Sequence, residues 1–108
     1  MTARLGFRVA YAALVAGLLC ACAPSTSFTS DEISHGRGVY DRACVMCHGA
    51  QGAGIPNGPP PIARQKDVAA VKQIIAAGKG DMPPMANLLT GEEIDAVAKF
   101  AVAGLPTN

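Results

Sequence analysis

Cys44, Cys47 and His48 stand in the stretch Y-D-R-A-C-V-M-C-H-G-A-Q-G-A-G. Two thiols three residues apart, followed at once by an imidazole, suit three chemistries: a metal clip, a redox dithiol, or the covalent anchoring of a haem. A tetrahedral zinc site needs four ligands, commonly from two such knuckles. Outside the N-terminal leader only His35 is left to join the set, and adjacent residues such as Cys47 and His48 rarely serve one tetrahedral ion. A thioredoxin-like dithiol expects a βαβ context, and no stretch here alternates polar and apolar residues. A structural disulfide across so short a loop adds little stability. The haem chemistry fits better. C-x-x-C-H is the c-type attachment signature, because its spacing lets each thiol add to one of two neighbouring vinyl groups while the next residue turns an imidazole towards the iron.

Helices must position these groups. Thr29 and Glu32 match a capping box, and Ile33, Gly36, Tyr40 and Ala43 recur at helical spacing. A helix over residues 31–43 therefore runs straight into the cysteine motif. The following G-A-Q-G-A-G-I-P-N-G-P-P-P-I-A-R-Q-K holds four Gly and four Pro, and a loop this long in so small a domain implies a function. In D-V-A-A-V-K-Q-I-I-A-A-G, residues Val68, Val71, Ile74 and Ile75 form one stripe, with Gly78 as the C-cap. K-G-D-M-P-P-M-A-N-L-L is a second Pro-broken loop. Thr90 and Glu93 then open E-E-I-D-A-V-A-K-F-A-V-A-G, apolar nearly all round and stopped at Gly104. Such a helix is expected to lie between two packing surfaces. The class is all-α, with three main helices.

Residues 1–21 read as a secretory signal. Arg4 and Arg8 precede the apolar run V-A-Y-A-A-L-V-A-G-L-L-C-A-C-A, which is too short to span a bilayer comfortably. The formal charge is +1, from nine Lys/Arg against eight Asp/Glu; without Arg4 and Arg8 it is −1, with seven against eight. Nothing resembles the basic stripe that nucleic acid requires. Residues 22–30 read as a Pro/Ser/Thr tether and 31–108 as the folded domain. Beyond the leader the aromatics are only Phe28, Tyr40 and Phe100. A core that small wants a disulfide, a metal or a large cofactor to fill it, and a porphyrin would serve as that core.

The chain resembles the class I c-type cytochromes of bacteria over residues 31–105. The likeness rests on G-R-G-V-Y-D-R-A-C-V-M-C-H-G, N-G-P-P-P-I-A, G-K-G-D-M-P-P-M and L-L-T-G-E-E-I-D-A-V-A-K-F-A-V-A-G, in that order. Gly36 and Tyr40 match the family's small and aromatic positions on the first helix, and Phe100 the aromatic on the last. The last helix is therefore expected to cross the first at a glycine. The resemblance implies a small cytochrome c fold around one covalent haem c, held by Cys44 and Cys47, with His48 as proximal ligand. Two methionines, Met82 and Met85, are placed to supply a thioether as the sixth ligand; the family's M-P dipeptide points to Met82, leaving Met85 to pack at the haem edge. A backbone carbonyl from the Gly-Pro segment, at Pro60 or else Pro59, is implied as acceptor of the second imidazole N–H of His48. His35 reads as a solvated helix residue, and Lys72, Lys79 and Lys99 as ordinary solvated positions. L-C-A-C resembles a bacterial lipobox with Cys22 as the acylated first residue of the mature chain; ordinary cleavage to a soluble periplasmic form is the alternative.

The implied function is an exported one-electron carrier rather than an enzyme, working on the periplasmic side of a bacterial membrane. Its partners would be redox proteins such as a dehydrogenase, an oxidase or another cytochrome, with membrane contact through the N-terminal lipid alone. A haem subunit of a periplasmic oxidoreductase complex is the alternative. A haem peroxidase or gas sensor fits less well, since it needs an open coordination site.

Overall fold

Thr29 opens the fold: its side chain accepts from the Glu32 backbone N–H, and the Glu32 carboxylate accepts in return from the Thr29 backbone N–H at 2.8 Å. This reciprocal cap satisfies two of the orphan donors at a helix start. In the computed structural model, which describes residues 26–107, helix α1 runs over Ser30–Ala43. A single turn, α2, follows at Val45–His48, then a short 3₁₀ turn at Ala50–Gly52. Helix α3 spans Val68–Ala77, with Asp67 as N-cap. Helix α4 spans Gly91–Val102 and starts from a second capping box, Thr90 with Glu93. No strand occurs among the described residues; Lys79 and Met82 make one isolated bridge. The expected leader, residues 1–21, and Cys22 lie outside the described residues.

Helix α4 packs on α1 along one side and on α3 along another. Its all-round apolar pattern serves these two surfaces: Ile94, Ala96, Val97, Ala98 and Phe100 are buried. The α1–α4 crossing is closest at Gly36, where a Cβ would overlap the Ala96 carbonyl and sit 2.6 Å from the Phe100 Cβ. Any side chain at Gly36 would force the two helices apart. Tyr40 and Phe100 meet beside this crossing, with ring centroids 5.7 Å apart and planes tilted by 57°, an arrangement that aromatic quadrupoles favour. Val39 is fully buried, although the expected α1 stripe did not include it.

An ion-pair chain ties the three long helices on their solvent side. Lys99 on α4 reaches Glu32 on α1 at 2.7 Å and Asp95 at 2.9 Å; Asp95 also takes Lys72 of α3 at 3.0 Å. Arg42 pairs with Glu93. Lys72 and Lys99 are thus engaged within the fold. Past α4, Leu105 turns back and is buried, its side chain lying over Gly52 of the 3₁₀ turn. Arg37 stacks 5.5 Å above the Phe100 ring and donates to the Pro106 carbonyl, which secures this tail.

Candidate functional site

Cys44 is both the C-cap of α1, donating its N–H to the Tyr40 carbonyl, and the N-cap of α2. One helical turn then fixes the motif. Residues four apart share a helix face, so Cys44 and His48 line the same cavity, while Cys47 and Met46 are exposed. The turn ends at Gly49, whose φ of 74° lies in the left-handed region, where glycine carries no Cβ penalty. The Tyr40 hydroxyl donates to the Gly49 carbonyl at 2.7 Å, and the Gly54 N–H to the His48 carbonyl at 2.7 Å. The first helix thereby clamps the residue next to the imidazole.

The opposite wall comes from α3 and the loop behind it. Gly78, at φ 75°, lets the chain fold back so tightly that a Cβ there would lie 2.5 Å from the Met82 carbonyl and 2.8 Å from the Pro84 nitrogen. Lys79 and Met82 exchange backbone hydrogen bonds at 3.0 and 3.1 Å, and Met85 N–H donates to the Ile75 carbonyl. This turn brings Met82 to the cavity wall. Met85 is instead buried in the core and does not line the cavity.

Between these walls lies a cleft of about 580 Å³, counting its open mouth, lined chiefly by apolar side chains, among them Ile62, Val71, Ile74 and Val97. Burial in this apolar wall pushes the Cys44 thiol up to about 11, with Arg42 opposing the shift and Cys47 adding to it. Both thiols are free of a disulfide. Among the described residues no group of three His, Cys, Asp or Glu is gathered as a metal cage would need. The Nδ1 of His48 is buried with no hydrogen-bond partner, a position that costs about 1–3 kcal/mol if left unmet.

A profile of the family described as cytochrome c oxidase, cbb3-type, subunit III matches residues 31–100. The chain belongs to this family of c-type cytochromes. The cytochrome also resembles solved structures in fold. Cytochrome c6C from Synechococcus sp. PCC 7002 is 22% identical, with a TM-score of 0.56 over 64% of this chain and 92% of that one. Cytochrome c6 from the diatom Phaeodactylum tricornutum is 21% identical, with a TM-score of 0.58 over 66% of this chain and 91% of that one. Cytochrome cL from the methylotroph Methylophaga aminisulfidivorans is 24% identical, with a TM-score of 0.57 over 68% of this chain but only 53% of that larger one. No curated protein sequence matches the chain.

The cofactor of the cytochrome is haem c, covalently bound. The residues present fit it: an apolar cleft, two thiols without another partner, and an imidazole whose buried Nδ1 the protein leaves unpaired. The structure brings Cys44, His48 and Met82 to that cleft, with Cys47 on its outer side. His35 is exposed on α1, away from it.

The Pro60 expectation needs correcting. Pro60 is exposed, and its carbonyl does not accept from His48 Nδ1, which has no partner. The proline loop does run close by: a Cβ on Gly54 would lie 3.2 Å from the Pro59 carbonyl oxygen, and one on Gly58 3.2 Å from the Cys47 carbonyl oxygen. Sequence reasoning also missed Ile62 and Gln65 as cavity residues, and Leu105 as the cover over Gly52. For Gln65 a signal existed: it is the one uncharged polar side chain between the prolines and the Asp67 cap.

Proposed function

We propose that the cytochrome is a one-electron carrier, its haem attached through Cys44 and Cys47 and held axially by His48 and Met82. Haem supplies a one-electron iron couple. The observation that carries the reading is that an imidazole from α2 and a thioether from the loop before α4 line one apolar cleft. A Met/His pair raises the reduction potential relative to nitrogen or thiolate pairs. His48 and Met82 would hold the iron from both walls of the cleft, leaving small ligands and peroxide no entry, which favours a carrier over an enzyme. With haem seated in the cleft, the apolar walls of α3 and α4 would limit water at the iron and so keep reorganisation low. Exposed Cys47 and Met46 mark the side on which a redox partner would make a small, transient contact.

The working place is the periplasmic side of a bacterial membrane, with Cys22 acylated and residues 22–30 as tether. None of the described helices is long and apolar enough to cross a membrane. A second reading, a haem subunit of a larger oxidoreductase complex, is favoured by the description of the matched family.

The test mixes reduced cytochrome with carbon monoxide and oxidised cytochrome with peroxide at neutral pH. Inertness to both, with fast reversible exchange at an electrode, is the expected result. Rapid carbon monoxide binding or sustained peroxide turnover would refute the carrier. Purification under native conditions separates the two supported readings: a free small protein favours the carrier, and stable co-migration with integral membrane subunits favours the complex.

A further inference from the structure

From Ala43 to Ala63 the chain carries no Asp, Glu, Lys or Arg; every charged side chain of the described residues lies outside this run. The fold gathers the run into one surface. The Gly54 N–H donates to the His48 carbonyl, and a Cβ on Gly58 would lie 3.2 Å from the Cys47 carbonyl oxygen and 2.5 Å from the Ile55 Cγ1. The loop is thereby laid against the cysteine turn, leaving Met46, Cys47 and residues 55–61 exposed. Met46 is 83% and Ile55 41% exposed, and only Leu88 joins them as an exposed large apolar side chain among the described residues. Arg42, at one margin of the run, is paired with Glu93. The ion-pair chain of Glu32, Lys72, Asp95 and Lys99 belongs to α1, α3 and α4.

A face without charge selects its partner by what it cannot repay. A charged group laid on it would lose hydration and find no opposite charge in return. The complementary surface is therefore itself uncharged and apolar, and burying Met46 and Ile55 against it supplies the attraction. Such a pairing has no long-range steering, so added salt has little to screen. Exposed Cys47 lies within the same face, so a protein resting there touches a side chain proposed to hold the cofactor; a second copy seated for good would block that exit. We infer that the face built from Met46, Cys47 and the 55–61 loop docks an uncharged apolar patch of a redox partner protein, in an encounter insensitive to ionic strength. One electron leaves the reduced cytochrome and one enters the partner, with no proton or group transferred. This rests on the carrier reading above and adds the chemistry of the partner.

A gold electrode coated with a methyl-terminated monolayer presents that chemistry to the intact holoprotein, and carboxylate- or amine-terminated layers present the charged alternatives. Electron exchange is expected to be fastest on the methyl layer. It should change less than about twofold as salt rises from about 0.01 M to about 1 M, over which the screening length falls from about 30 Å to about 3 Å. Met46→Lys and Ile55→Lys should each slow exchange on the methyl layer about tenfold, through the loss of one buried apolar contact. Both should gain a salt-dependent exchange on the carboxylate layer. Asp31→Asn, at the opposite end of α1, raises the net charge equally and should change nothing. Faster native exchange on either charged layer, a steep salt dependence, or lysine variants that match the native rate would each overturn the proposal. So would a stable dimer on sizing that Met46→Lys dissolves, which gives the face to a second copy. Binding to neutral phosphatidylcholine vesicles that Met46→Lys abolishes would overturn it too, giving the face to a lipid surface. Covalent haem and the far-red sulfur-to-iron band are read on every variant. Rapid carbon monoxide binding would sink the carrier reading itself, whereas inertness with slow exchange on the methyl layer sinks the docking face alone.

Discussion

Gly78→Ala tests whether the tight turn after α3 is what carries Met82 to the cleft. Gly78 has φ 75° and ψ 169°, a region that only glycine visits readily, and forcing another residue there costs about 1–3 kcal/mol. The added methyl also meets the Met82 carbonyl at 2.5 Å and the Pro84 nitrogen at 2.8 Å. Both are backbone atoms that cannot swing aside, so overpacking contributes a further ~1–3 kcal/mol. Gly80→Ala is the control. Gly80 is also left-handed, at φ 56°, but nothing lies within 4 Å of its would-be Cβ, so it loses only about 1 kcal/mol of backbone preference. With about 4–8 °C per kcal/mol in a domain this small, Gly80→Ala should melt about 5 °C low. Gly78→Ala, losing about 3 kcal/mol in all, should melt about 15 °C low. Thermal unfolding by circular dichroism reads the stabilities, and the far-red sulfur-to-iron band of the oxidised form reads Met82. Gly78→Ala should weaken that band and Gly80→Ala should keep it. Equal melting temperatures, or a full band in Gly78→Ala, would refute the collision argument.

Replacing both Cys44 and Cys47 by Ala should leave haem extractable with acidified organic solvent and the chain unfolded, since cofactor binding and folding are coupled in so small a unit; haem that stays covalent would exclude these thiols. Met82→Ala should abolish the far-red band and lower the potential. Met85→Ala should keep the band and cost about 2–5 kcal/mol, because that side chain is buried in the core; the reverse pattern would make Met85 the ligand. Tyr40→Phe should destabilise by about 1 kcal/mol through the lost bond to Gly49. Burial raises the Tyr40 pKa, so its contribution is complete below the ordinary tyrosine value and fades as pH climbs through the raised one; the native protein should lose stability in alkali more steeply than Tyr40→Phe does. Intact-mass measurement of the native protein should show a start at acylated Cys22, and an unmodified start beyond Cys22 would remove the anchor.

Local signals in the sequence located the helices. Thr29 with Glu32 and Thr90 with Glu93 form the reciprocal caps that their spacing implies, and Gly78 ends α3 as expected. The apolar surround of α4 anticipated its two packing surfaces. The close crossing at Gly36 was legible only through the family resemblance, and the structure places it there. What stayed hidden depends on distant chain. Val39 is buried by α4, outside the expected stripe of α1. Leu105 follows the last helix and looks like tail, yet it covers Gly52, a contact that no local period encodes. The single turn α2 is too short to show periodicity, although it alone separates inward Cys44 and His48 from outward Cys47. Met82 and Met85 look alike as residues; only the turn at Gly78 sends one to the cleft and the other to the core.

The Gly36 crossing has a consequence for the order in which the chain is completed. Helix α1 and the cysteine motif are made early, but Tyr40 and Val39 gain their cover only when α4 arrives, and the loop at Gly52 only when Leu105 does. Pairings this distant in sequence form late, after the loop-closure entropy has been met. Until α4 closes on α1 the thiols of Cys44 and Cys47 therefore remain on an open stretch of polypeptide. Covalent haem is thus expected to be taken up before the fold shuts, and a chain truncated ahead of Gly91 should still accept haem at the two thiols while never closing over it.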